Sequence, residues 1–121
     1  MGDIVEIEIE LYKTRSGHCP FDIWFESLRE LYTRAKILTR LDRLKLGNFG
    51  DCKSLGEGIA ELRLDYGPGF RVYYSKIGNK VILLLCGGVK GSQAKDINNA
   101  REYLKEYRSR GEKHGKKNKL S

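Results

Sequence analysis

The feature that most constrains this chain is the run from Ile59 to Lys90, which reads as three consecutive strands joined by tight turns. Ile59, Leu62, Leu64 and Tyr66 include a stretch of alternation, and Phe70, Val72 and Tyr74 resume it after Gly67-Pro68-Gly69. Alternation with period two marks strands that bury one face. Gly78-Asn79 is a two-residue hairpin signal. Val81 to Cys86 is apolar throughout, which predicts a strand in mid-sheet, covered on both faces and ended by Gly87-Gly88.

The flanking segments complete an α+β pattern. Val5, Ile7, Ile9 and Leu11 alternate with Glu6, Glu8 and Glu10, as in a half-exposed strand. Thr14 to Pro20 reads as a loop. Phe21, Trp24, Phe25 and Leu28 keep helical spacing behind Pro20, which suits a first helical position. A second helix is expected on Leu31, Ala35, Leu38 and Leu41, its stripe widened by Ile37 and Leu44 and its end capped at Gly47-Asn48. Arg34, Lys36, Arg40, Arg43 and Lys45 cover its other side and fit a solvated face. The short link predicts an antiparallel helix pair. A short strand is expected near Lys53–Leu55. A last helix over 92–107 carries Ile97, Ala100 and Leu104, with Ser92 as N-cap.

A chain of 121 residues forms one core. No apolar run approaches the roughly 20 residues of a membrane-spanning helix. The acidic start shows no secretory signal, so a cytoplasmic protein is expected. Cys19, Cys52 and Cys86 are odd in number and widely spaced, as reduced thiols are, and Cys86 fits plain packing. Neither His18 nor His114 has metal-ligand spacing. Net charge is +7, but residues 108–121 hold six Lys/Arg against one Glu, so most of it lies there. This basic tail is expected to be disordered. It fits nonspecific nucleic-acid contact and a solubilising terminus equally.

The loop at Gly67 decides where the arginines point. A two-residue loop would put Leu64 opposite Arg71, mixing charge with apolar residues. A Gly67-Pro68-Gly69 loop instead pairs Tyr66 with Phe70, Asp65 with Arg71 and Arg63 with Tyr73. Glu61, Arg63, Asp65, Arg71, Tyr73 and Ser75 then share one face, and face matching favours this register. Arg63 and Arg71 would stand diagonally, roughly 7–8 Å apart at Cα and within reach of one phosphodiester. Lys90 follows the next strand and can join them. A cross-strand ion pair between Arg71 and Asp65 accounts for the same residues. Tyr73 equally fits a strand-former, Tyr66 and Tyr74 fit the core, and Asp96 fits a helix N-terminus.

At these residues the chain resembles the RelE/ParE superfamily of toxin–antitoxin toxins, in its phage-derived, HigB-like addiction-module killer branch. The resemblance is carried by Ala35–Asp51, Glu61–Tyr74 and Leu84–Lys90 in order, and runs from about residue 4 to residue 107. It implies a toxin domain over 1–107 with the 108–121 tail outside it. It further implies an mRNA interferase, an endoribonuclease that cleaves mRNA on the ribosome, inhibits translation and is blocked by a helix-turn-helix antitoxin. No metal, small-molecule cofactor or membrane is implied. The family's site cations match Arg63, Arg71 and Lys90, while Glu61 stands where RelE has a lysine and Asp96 near its catalytic tyrosine. Arg71, Arg63, Lys90, Tyr73 and Asp96 are therefore the candidate site residues. ParE relatives share the fold and instead poison DNA gyrase. The Glu6, Glu8 and Glu10 edge and the basic side of the second helix are the candidate antitoxin-docking areas.

Overall fold

The computed structural model describes residues 7–120, with side chains as far as Arg110. In chain order its elements are β1 (Glu8–Leu11), α1 (Pro20–Ser27), α2 (Leu31–Lys45), β2 (Cys52–Gly56), β3 (Ile59–Leu64), β4 (Phe70–Ile77), β5 (Val81–Val89), a 3-10 turn at Lys90–Ser92, and α3 (Gln93–Leu120). The strands form one sheet in the order β1-β5-β4-β3-β2. β1 runs parallel to β5, and the other neighbours are antiparallel. The fold is α+β, and β5 sits in mid-sheet, covered on both faces as its composition requires.

The two faces are built differently. Leu62, Leu64, Phe70, Val72, Tyr74, Ile82 and Leu84 pack beneath α1 and α2 with Phe21, Ile37, Leu41 and Leu44. Ile59, Tyr73, Leu83, Leu85 and Cys86 pack beneath α3 with Ala100 and Leu104. Cys86 is buried, which pushes its thiol up to about 12, with the Asp96 charge adding to the effect. All three cysteines are free. Among the described residues no helix is long and apolar enough to cross a membrane.

Three expectations about these elements change. The buried stripe of α2 is Thr33, Ile37, Leu41 and Leu44, while Leu31 and Leu38 lie exposed. Leucines on more than one side leave the phase of a helix open, and the sheet chose the face that fits it. Two of the supposed surface arginines are clamps. Arg34 donates to the carbonyls of Leu28 (2.7 Å) and Glu26 (2.8 Å), closing the α1–α2 joint. Arg40 donates to the carbonyl of Arg63 (2.6 Å).

Gly87 and Gly88 do not end β5, which continues to Val89. A Cβ at Gly87 would strike the Trp24 ring, and one at Gly88 would strike the Asp96 carboxylate. These glycines admit α1 and α3 onto a continuous strand. The expected strand start at Val5 and Glu6 lies outside the described residues. α3 runs past Tyr107 into the basic segment, whose side chains beyond Arg110 lie outside the described residues.

Candidate functional site

The β3–β4 connection carries the site. Leu64 pairs with Phe70, Arg63 with Arg71, and Glu61 with Tyr73. The face assignment matches the expected one, but the register is two residues away from it. A slip of two leaves every side chain on its face, so apolar matching cannot detect it. Turn chemistry decides it instead. The loop spans 65–69, with Gly67 at φ 55° and Gly69 at φ 78°. The Gly69 N–H closes the turn on the Tyr66 carbonyl at 2.9 Å, and the Lys90 N–H holds the Gly69 carbonyl at 2.8 Å. That last bond ties the loop to the end of β5.

Arg63 and Arg71 therefore stand directly opposite one another on neighbouring strands. Like charges placed this way repel. Glu61 resolves the conflict, because it lies two residues before Arg63 on the same face and diagonal to Arg71. Its carboxylate is completely buried. It accepts from Arg63 Nε at 3.0 Å and lies 3.9 Å from Arg71 Nε. Gln93 Nε2, from the first turn of α3, donates to its other oxygen. The Arg71 side chain is only 6% exposed, and its Nη1 donates to Asp65 at 3.3 Å and to its own strand's Phe70 carbonyl at 3.0 Å. Among the described residues Arg71 Nε has no hydrogen-bond partner. Buried charges persist only when compensated, and here each cation faces a carboxylate.

Above this network lies an open cleft of about 600 Å³, lined by Lys53, Arg63, Asp65, Tyr66, Arg71, Lys90 and Gln93 together with the glycines of the loop. The three expected cations, Arg63, Arg71 and Lys90, do come together. Lys53 and Gln93 join them without having been anticipated. Lys53 is placed because β2 pairs Lys53 with Glu61, which puts it on the same face. The expected short strand near Lys53 carried that signal, although its register did not. Among the described residues no carboxylate lies within ion-pair reach of Lys53 or Lys90.

Tyr73 and Asp96 do not line the cleft. Tyr73 is fully buried, and its hydroxyl makes no hydrogen bond among the described residues. Burial raises its pKa above that of an ordinary tyrosine, with the charges of Glu61 and Asp96 adding to the shift. Asp96 accepts from Ser92 Oγ, and its backbone carbonyl faces the Cys86 thiol at 3.7 Å. Ser92 thus directs its hydroxyl to Asp96 and to the Val89 carbonyl rather than to the helix backbone. Tyr66, read as core, is half-buried and forms a wall of the cleft while also packing on Phe70.

A larger groove, about 1000 Å³, lies at the opposite edge of the sheet between β1 and the α1–α2 pair. Its rim carries Glu8, Glu10, Asp22, Glu26 and Asp42 against Lys45 alone, over an apolar floor. Size does not locate anion chemistry here, because the sign of the lining is wrong.

These features define a small α+β protein with a cationic cleft at one end of its sheet. The chain is 49% identical over 81 residues to an uncharacterized protein of Haemophilus influenzae, covering 67% of this chain and 82% of that protein. It belongs to the same family as that protein. No family model matches the chain.

Proposed function

We propose that this protein is the toxin of a type II toxin–antitoxin module of RelE/HigB type, a cytoplasmic, ribosome-dependent mRNA endonuclease. The observation that carries the reading is the convergence of Lys53, Arg63, Arg71 and Lys90 on one open cleft. In the proposed reaction the RNA 2′-hydroxyl attacks the adjacent phosphorus as its proton leaves. The bond to the 5′-oxygen breaks and that oxygen takes up a proton, giving a 2′,3′-cyclic phosphate and a 5′-hydroxyl. Charge builds on the nonbridging oxygens, so fixed cations favour the transition state over the ground state. Arg63 and Arg71 suit that task because a guanidinium grips two oxygens at once. Asp65 is exposed, so a phosphate can take its place at Arg71 Nη1. Lys90 and Lys53 are the exposed cations available to the leaving oxygen.

Arg71 itself makes a poor test, since it is buried and its removal would take from Glu61 one of the two cations that face it. Lys90→Ala leaves the buried network intact, and Arg63→Ala still leaves Glu61 facing Arg71 and bonded to Gln93. After brief induction, primer extension on cellular mRNA should show new 5′ ends with the native chain. Each variant should reduce them by about 100-fold or more. Growth arrest with intact mRNA would overturn the reading.

A second reading has its own support. Arg71 is buried and faces two carboxylates, and Tyr73 and Asp96 stand away from the cleft. A non-enzymatic inhibitor, such as a gyrase poison, needs no acid or base in the cleft. It predicts loss of DNA supercoiling without mRNA ends. Both readings include a helix-turn-helix antitoxin. The exposed Leu31 and Leu38 of α2, beside the acid-rimmed groove, offer such a partner an apolar and acidic surface.

A further inference from the structure

α2 carries a second stripe that neither the core nor the cleft uses. Tyr32, Lys36, Thr39 and Arg43 recur at helical spacing and therefore share one face. With Ala35, Arg40, Leu64, Asp65 and Tyr66 they enclose a depression of about 520 Å³. Asp65 and Tyr66 also line the cationic cleft, so the two sites share a wall. Tyr32 is 63% exposed, although large aromatic rings usually withdraw from water. Its ring meets Tyr66 edge-on, with centroids 6.0 Å apart. Lys36 Nζ lies 5.1 Å from the Tyr32 centroid and 5.2 Å from the Tyr66 centroid. The Tyr66 hydroxyl is buried and has no hydrogen-bond partner among the described residues. Among the described residues neither Lys36 nor Arg43 has a carboxylate in ion-pair reach.

We infer that this depression is a second nucleotide subsite for single-stranded RNA, adjoining the one in the cleft. The inference rests on the endonuclease reading for the identity of the strand. An exposed aromatic ring beside cations that no carboxylate neutralises is what a single strand requires, a flat surface for the base and a charge for each phosphate. A base stacks on Tyr32, and Lys36 and Arg43 hold the backbone phosphates beside it. The Asp65–Gly69 loop then lies between two successive nucleotide positions, and its side chains fall close to the linkage that joins them. Arg40 stays out of the contact, because its guanidinium is committed to the carbonyls of Arg63 and Asp51. A protein-docking face made of the same residues would not couple to nucleic acid, which separates the two uses.

The test is fluorescence anisotropy of the full chain with a labelled single-stranded RNA of roughly 10 nucleotides, over a salt series. Tyr32→Ala should weaken binding roughly 5- to 100-fold, and Tyr32→Phe, which keeps the ring, should restore it. Lys36→Gln and Arg43→Gln should each lower the salt slope by about 0.7. Tyr32 and Arg43 are exposed and Lys36 is half-buried, so a melting curve taken on each variant separates lost binding from lost folding. Unchanged affinity and slope in these variants, or no RNA binding by the native chain, would overturn the subsite. Native-level mRNA cleavage in cells by Tyr32→Ala together with normal binding would reject the subsite and leave the nuclease standing. Tyr32-dependent binding without cleavage would support the subsite and reject the nuclease.

Discussion

The two faces of this sheet solve burial in different ways. Under α1 and α2 the strands present Leu62, Leu64, Val72, Ile82 and Leu84, apolar groups that need only shape. Under the start of α3 the same strands bury Glu61, Arg71, Tyr73 and Ser75. Among the described residues the hydroxyls of Tyr73 and Ser75 and the Arg71 Nε make no hydrogen bonds. Polar burial of this kind costs stability unless compensated, so stability alone does not explain it. The first face holds the protein together, and the second holds charges in place at the edge of an open cleft.

Neighbouring residues test that contrast. Glu61→Ala should cost about 3–5 kcal/mol in urea unfolding, because Arg71 loses a carboxylate it faces inside the protein. A change under about 1 kcal/mol would show the carboxylate to be idle. Leu62→Ala, one residue on and facing the other way, should cost about 2–5 kcal/mol by opening a cavity. Neither effect should change much with salt. High salt screens exposed charges and leaves the buried pair and the cavity largely untouched, so a strongly salt-dependent Glu61 effect would place that pair in water.

Smaller effects sharpen the picture. Gly87→Ala should destabilise by about 1–3 kcal/mol through collision with Trp24. A neutral result would mean that α1 can lift off β5. Asp65→Asn should change stability by less than about 1 kcal/mol, since the carboxylate is exposed. It should also tighten RNA binding by freeing Arg71 Nη1, and weaker binding would show that Asp65 positions the arginine instead.

The smallest effect concerns pH midway along α3. Glu106 accepts from Tyr12 (2.6 Å), Arg15 (3.0 Å) and Arg110 (2.6 Å). The Tyr12 bond, followed by those from the two arginines, holds its carboxyl below the usual glutamate range. Tyr12 moves the other way, to about 12, through burial and then the Glu106 bond. A depressed carboxyl pKa contributes stability above its unfolded value and loses it as pH falls through the folded one. Glu106→Gln should therefore flatten the acid limb of the stability profile below the ordinary glutamate pKa. An unchanged limb would remove Glu106 from the docking of α3.

Much of the fold was legible because alternation and turn residues act locally. The Ile59–Cys86 pattern placed the strands, and Gly47 and Pro20 placed helix ends. Arg63, Arg71 and Lys90 fell on one surface because parity along a strand is a local property. The rest was not local. A two-residue slip is invisible to parity, so Arg63 opposite Arg71 needed the turn at 66–69 and its tie to Lys90. Gly87-Gly88 looked like a break because the partners that need the space, Trp24 and Asp96, lie far away in sequence.

What the sequence determined by itself was the α+β order, the face carried by the residues of β3 and β4, and the cations available to one surface. Only the tertiary structure decided which of them are free. Packing α3 across the sheet buries Glu61 and Arg71 together and withdraws Tyr73, while Lys53 and Lys90 stay in water. The physical reason is that a charge is governed by the dielectric and the counter-charges around it, and those come from segments the local sequence does not contain.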